Sequence, residues 1–248
     1  MVWRVFTRNF LVFLKTWKAN IMFNFVEPVM YLWAMGFGLG VYVEKVQGIP
    51  YVQYLAPGLI ASSAMFATSF EMTYGSFTRM THHKTFQAMV ATPVSMEDVV
   101  AGEIVYGSFK SLLYGLVFLL VIWLFGLVKS PWVLLLPGVL VLCGLVFSIL
   151  AMIWSSLAPD YDAFNYYFTL IITPMFLFSG IFFPLSGLPP IAQKIAWLTP
   201  LYHVVELSRA LVLGRVGSGE MAHLAWLLVL VILTFRLPLV MVKNRLIK

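Results

Sequence analysis

The sequence predicts an all-α integral membrane protein: six transmembrane helices, an amphipathic interface helix before the first, and a broken, re-entrant helical hairpin on the outer side between the fifth and the sixth. Three observations predict it. Apolar residues make up 61% of the chain and charged residues only 10%, against about 25% in soluble domains. That much apolar surface requires lipid as the solvent. The apolar stretches are about one bilayer long and are separated by short polar turns. The bases sit at the ends of those stretches, so the net charge of +6 follows membrane topology and does not point to nucleic acid. The 248 residues read as one transmembrane domain.

Residues 2–18 form the interface helix. At about 100° per residue, Trp3, Phe6, Phe10, Phe13 and Trp17 share one arc, and Arg4, Arg8, Lys15 and Lys18 share another. Aromatic and basic faces side by side suit acyl chains and anionic headgroups; the plainer alternative is a disordered start to the first span. The recurring bases and the lack of a small-residue cleavage site argue against a cleavable signal. The first span runs from Ile21 to Val43, interrupted early by Glu27 and Pro28. Gly36 and Gly40 form a GxxxG pair that can pack helices. Glu44 to Gln53 is a polar connection.

The second span runs from Tyr54 to Thr78, broken only by Glu71. The longest polar loop follows, residues 79–97, in which Ser95 and Asp98 fit a capping box for the next helix. The third span covers Val99 to Val128, with Glu103 and Lys110 in its first turns, and turns tightly at Lys129 to Pro131. The fourth lies within Ser130 to Pro159, and Ala158 to Asp162 is another turn. The fifth begins at Ala163 and reaches about Phe183. A segment broken by Pro184, Pro189 and Pro190 then leads to a short helix, Leu201 to Leu213; such backbone must be covered by protein or line a wet cavity. The sixth span runs from Met221 to Val242.

With both termini cytoplasmic, inner segments hold Arg4, Arg8, Lys15, Lys18, Arg79, Lys84, Lys243, Arg245 and Lys248. Outer ones hold Lys45, Lys129, Lys194, Arg209 and Arg215. Nine bases against five favour termini inside. The 79–97 loop is then cytoplasmic and the 184–213 hairpin faces outward.

No phosphate loop, zinc-protease motif or nucleophile elbow occurs, so no ATP-hydrolysing or catalytic motif is expected in this chain. Asp160 and Asp162 fit a turn better than a metal site, and adjacent His82 and His83 fit a solvated loop. The lone cysteine, Cys143, reads as a small buried hydrophobe. Glu71, deep in its span, either lines a polar path or pairs with Lys110 or Arg79. Phe66, Phe70 and Tyr74 recur every four residues beside it, as a stacking face or as core. His203, Glu206 and Arg209, three apart, either meet a headgroup or brace one another.

Several segments together resemble the permease subunits of type 2 ABC exporters, and within them the nodulation-type branch that exports lipo-oligosaccharides. They are FxFVEPVMYLWAMGFGLG from Phe23, YLAPGLIASSAM from Tyr54, SFEMTYGSFTRM from Ser69, ATPVSMEDVVAGE from Ala91, and PMFLFSGIFFPLSGLP from Pro174 followed by TPLYHVVELSRAL. The resemblance implies an exporter of an amphiphile in the bacterial inner membrane. The permease would be a homodimer in contact with membrane lipid, driven by two copies of a separate ATP-binding subunit. ATP and magnesium would sit on that partner, with no cofactor and no metal in this chain. The resemblance implies a coupling loop bearing Arg79, His82, His83, Lys84, Thr85, Met89, Thr92 and Pro93. It implies a path along Tyr31, Phe66, Phe70, Glu71 and Tyr74, on the first, second and fifth spans. It also implies an outer gate at Phe178, Phe182, Phe183, Pro184, His203, Glu206 and Arg209. The turn around Asp160 holds no base, a small departure from the family. Two rivals stand beside this reading: an ion-coupled secondary transporter using Glu71, and a membrane-embedded lipid-modifying enzyme using His203 and Glu206.

Overall fold

The computed structural model describes residues 1–43 and 45–246, with the side chains of 18–25 and 27 outside the description. The expectations attached to Lys18, Phe23, Glu27, Glu44 and Lys248 therefore lie outside the described residues. The described chain is helical throughout, apart from a short antiparallel pair, β1 (Lys45–Val46) and β2 (Ile49–Pro50).

The first helix, α1 (Val2–Tyr31), passes without an end into a π-helical stretch, Leu32–Gly38, and a 3-10 turn, Leu39–Val41. The interface helix and first span, expected as separate elements, are thus one helix. No glycine or proline stands between Thr16 and Val26 to break it. Its buried stripe is Val5, Asn9 and Phe13, four apart and flanking the aromatic arc. Phe6, Phe10 and Phe13 all meet Phe109 edge-on, at 5.8, 5.3 and 6.0 Å between centroids. Trp3 and Trp17 remain exposed.

The second helix, α2 (Tyr51–Phe70), continues through π-helical turns at Glu71–Gly75 and Thr78–His82. It is the centre of the bundle. Ala56, Gly58, Ala61, Ser62, Ser63, Ala64 and Ala67 are buried along it, and such small side chains let neighbouring backbones close in. A short helix, α3 (Thr85–Val90), follows Lys84 at φ 50°. The Ser95–Asp98 capping box opens α4 (Met96–Leu124) as expected. A 3-10 turn, Pro131–Leu135, leads into α5 (Leu136–Leu157). The Ala163 N–H donates to Asp160 Oδ1 at 3.2 Å, so Asp160 serves the turn; no group of three or more potential metal ligands occurs among the described residues.

The next helical run is α6 (Ala163–Tyr167), a π stretch Phe168–Ile172, and α7 (Thr173–Phe178). It ends at Phe178 and not at Phe183, because Gly180 adopts φ +78° and turns the chain. Beyond it come a 3-10 turn, Leu185–Gly187, then α8 (Pro190–Trp197) and α9 (Pro200–Leu213). The proline-rich segment therefore contains a helix of its own: Pro190 and Pro200 sit at first helical turns, where a missing N–H costs nothing. The chain closes with α10 (Gly219–Thr234) and α11 (Arg236–Leu246).

Among the described residues, three helical stretches are long and apolar enough to cross a membrane: Met96–Leu124, Pro131–Leu157 and Gly219–Leu246. They coincide with the expected third, fourth and sixth spans. Pro28–Val41 and Ala163–Phe178 are apolar but shorter.

The tightest packing lies between α4 and α5. A Cβ on Gly144 would fall 2.5 Å from Ser108 Cα and 2.7 Å from Ser111 Cβ. Ser111 Oγ donates to the Leu140 carbonyl at 2.7 Å and Ser108 Oγ to Val141 at 3.2 Å. Of the expected GxxxG pair, Gly36 approaches Val52 while Gly40 faces open space within the chain. Gly144→Val must spread the α4–α5 seam. Overpacking costs about 1–3 kcal/mol and each serine bond about 0.6 more, so the melting temperature in detergent should fall by roughly 5–15 °C. Gly138→Val, where a Cβ meets nothing, should leave it in place.

Candidate functional site: a charged cluster, an aromatic ladder and an arginine knot

A buried four-charge cluster lies where α1, α4 and the extension of α2 meet. Glu71 and Arg79 are eight apart on the α2 extension, and Gly75 stands between them. A Cβ there would lie 2.5 Å from Glu71 Oε1 and 3.3 Å from Arg79 Nη1, so glycine is what lets the two side chains meet. Arg79 Nη1 donates to Glu71 Oε1 at 2.8 Å. Its Nε lies 3.1 Å from both oxygens of Glu103, and Nη2 donates to Glu103 Oε2 at 2.5 Å, a forked geometry that lysine cannot match. Lys110 Nζ reaches Glu71 Oε2 at 3.2 Å and lies 4.3 Å from the centroid of Phe13. Asn9 Nδ2 donates to Glu103 Oε1 at 2.7 Å, and the Ser76 hydroxyl donates to the same carboxylate. Two carboxylates balance two cations. The Glu103 side chain is 0% exposed and Lys110 3%, a depth at which only a paired and hydrogen-bonded charge is tolerable.

Glu71 thus pairs with both bases that its position offered. Glu103, Asn9 and Gly75 are the members that sequence reasoning missed. Glu103 falls in the first turns of its helix, where a carboxylate reads as a solvated end. The available signal was charge balance: two acids and two bases at matching depth on neighbouring helices.

Above the cluster runs an aromatic ladder. Tyr74 stacks on Phe70 (6.0 Å), and Phe70 on both Phe66 (6.4 Å) and Phe168 (4.4 Å). Phe66 meets Phe176 at 5.4 Å; Phe176 meets Phe182 at 5.0 Å and Tyr31 at 5.6 Å. The expected path residues Tyr31, Phe66, Phe70 and Tyr74 therefore join one continuous set. The ladder ends at an apolar groove of about 490 Å³ lined by Tyr31, Met35, Phe176, Phe182, Phe183 and Pro184. Phe178 lies apart, in a second groove of about 590 Å³ with Leu170 and Ile195. Most of α2 is buried; its Phe66–Phe70 edge, continued by Tyr74, reaches this face.

At the Gly180 turn, Arg209 Nη2 donates to the Gly180 carbonyl at 2.7 Å, where Tyr54 Oη also donates at 2.9 Å. The Arg209 guanidinium lies 4.0 Å from the Tyr54 ring centroid and pairs with Glu206. This knot ties α2 and α9 to the Gly180 turn. His203 turns away from it. His203 Nε2 lies 2.7 Å from the Trp197 carbonyl and its Nδ1 lies 2.7 Å from His223 Nδ1. A carbonyl only accepts, so Nε2 carries the proton, and a neutral His203 accepts from His223 through Nδ1. The expected triple splits: Glu206 and Arg209 brace each other, while His203 binds α10. Arg209→Met removes a charged hydrogen bond worth about 1.5–3 kcal/mol and should lower the melting temperature by roughly 3–12 °C. Arg209→Lys, which cannot fork between Glu206 and Gly180, should recover only part of it.

Among the expected coupling residues, His82, His83, Lys84, Thr92 and Pro93 are exposed. Thr85 and Met89 are half-buried, and Arg79 is turned inward to the cluster. His82 stacks flat on Tyr161 at 5.2 Å. Phe86, between them, is fully buried and anchors the loop.

The family model described as ABC-2 type transporter matches residues 1–213. Nodulation protein J of Sinorhizobium fredii is 41% identical over 245 residues, covering 99% of this chain and 92% of that protein. Nodulation protein J of Rhizobium leguminosarum biovar viciae is 38% identical over 249 residues, covering 100% and 94%. The inner membrane transport permease YadH of Escherichia coli is 24% identical over 195 residues, covering 78% and 75%.

Proposed function

Because the chain belongs to the ABC-2 type transporter family, we propose that it is the permease of an ATP-driven exporter that moves an amphiphile, of the lipo-oligosaccharide kind, from the cytoplasmic side outward. The observation that carries this is the aromatic ladder, which runs from Tyr74 to the groove at Tyr31 and Phe182 without a gap. Ring faces stack on sugars and slide past acyl chains, so one ladder serves both halves of such a cargo.

Six spans and cytoplasmic termini follow the apolar stretches and the distribution of bases, and an inner-membrane location is carried over from the name of the Escherichia coli relative. Two permease chains would enclose the path. The helices in the regions of the first, second and fifth spans are those proposed to face it. Two copies of an ATP-binding partner, carrying ATP and magnesium, would drive the transport. Closure of that partner would push the exposed loop at His83, Lys84, Thr92 and Pro93. Arg79, at the root of the loop, holds Glu71, Glu103 and, through Glu103, Asn9. A push on the loop therefore moves α1, α2 and α4 together, as a packed core shifts rather than bends. The Arg209 knot and the 184–213 hairpin would close the outer end until that shift.

The test is co-purification with the ATP-binding protein encoded beside it. The permease reading expects a stable complex whose ATP turnover rises with lipo-oligosaccharide. A chain that binds no ATPase and converts lipid alone contradicts it and returns His203 and Glu206 to consideration as an enzyme.

A further inference from the structure

The exposed side of α1 carries a shallow groove of about 470 Å³ between the side chains of Trp3, Arg4, Arg8, Leu11 and Lys15. Arg4 and Lys15 are exposed and Arg8 is half-buried. None of the three forms an ion pair with a carboxylate among the described residues. Asp98 is engaged by the amino terminus at 3.2 Å and by the Ser95 cap. Three cations outside any ion pair among the described residues thus border a floor of indole and leucine. The floor suits glycerol and the first methylenes of an acyl chain, and the rim suits a phosphate.

We propose that this groove holds the phosphate of an anionic phospholipid from the surrounding bilayer, clasped by Arg4, Arg8 and Lys15. The proposal rests on α1 lying at a membrane surface and requires no ATPase. Charge complementarity selects the occupant. A second copy of this face repels the first, and a zwitterionic headgroup brings an ammonium to a site already cationic.

The site is also wired inward. Arg8 Nη1 donates to Asn9 Oδ1 at 2.9 Å, and Asn9 Nδ2 donates to Glu103. A phosphate that draws the Arg8 guanidinium outward competes for that first bond. Asn9 then retains Glu103 alone. The Arg8 guanidinium is therefore two hydrogen bonds from Glu103, the carboxylate partner of Arg79.

Native mass spectrometry of the purified full-length permease, with phosphatidylglycerol and phosphatidylcholine as probes, tests this. Wild type should retain phosphatidylglycerol in preference, and the preference should weaken as salt rises. At about 1 kcal/mol per base near an anionic surface, R4Q/K15Q should reduce retention on the order of thirtyfold. R4K/K15R should keep it. The charge-matched K84Q/K243Q, at other exposed lysines, should keep it too. Loss in K84Q/K243Q equal to that in R4Q/K15Q shows diffuse surface attraction and overturns the site. Retention in R4Q/K15Q, or a preference insensitive to salt, overturns it as well. ATP turnover is not read, so failure here leaves the permease reading standing.

Discussion

Glu103→Ala should destabilise the protein by about 3–5 kcal/mol, the usual result of removing one member of a buried ion pair. The Glu103 side chain is fully enclosed, and its carboxylate takes bonds from Arg79, Asn9 and Ser76. Without it Arg79 keeps Glu71 alone, and two positive side chains share one carboxylate. The amide of Asn9 loses its acceptor in the same place. At about 2–4 °C per kcal/mol for a chain of this size, the melting temperature should drop by roughly 6–20 °C. The double variant Arg79→Met with Glu103→Leu removes charge from both sides and should regain much of that loss, because Glu71 and Lys110 remain a balanced pair. If the double variant restores stability but ATP turnover no longer responds to cargo, the cluster is the mechanical link between loop and bundle. If the double variant transports as wild type does, the cluster only holds the fold.

Reversing charge at the loop, with His83→Glu and Lys84→Glu together, should cut recovery of the ATP-binding partner at least about tenfold, as loss of an interface hot spot does. Both side chains are exposed, so the melting temperature of the permease alone should stay within about 1 °C of wild type, as surface substitutions do. The contrast with Glu103→Ala separates an interface from a scaffold. Arg79, expected from the sequence to belong with these loop residues, should behave like Glu103 and not like Lys84, because its guanidinium points into the bundle.

Much of the architecture was legible because local rules and membrane rules agree over long stretches. The third, fourth and sixth spans are strongly apolar over their length, and Ser95 with Asp98 marks a helix start that the structure repeats. The continuity of α1 was not legible: bases and aromatics near its start suggested a surface helix, while only the lack of a breaker told that the helix carries on. The central position of α2 was hidden for a related reason. Its small residues read as weakly apolar, yet their size is what admits neighbouring helices. At the site, the aromatic spacing of Phe66, Phe70 and Tyr74 and the depth of Glu71 were visible. Their partners, Phe168, Phe176, Glu103 and Asn9, are far off in sequence, and one chain read alone does not bring them together. The three-residue spacing of His203, Glu206 and Arg209 suggested a single group. A partner beyond that helix, His223, decides where His203 turns.

The measurement that bears most directly on the central claim is cargo uptake into inverted membrane vesicles containing this chain and its ATP-binding partner, with a labelled lipo-oligosaccharide as the probe. The account predicts uptake that requires hydrolysable ATP, persists when a protonophore collapses the proton gradient, and disappears with the His83→Glu, Lys84→Glu loop. Uptake that needs no ATPase and vanishes with the protonophore would contradict it, and would make Glu71 the carrier of an ion-coupled transporter.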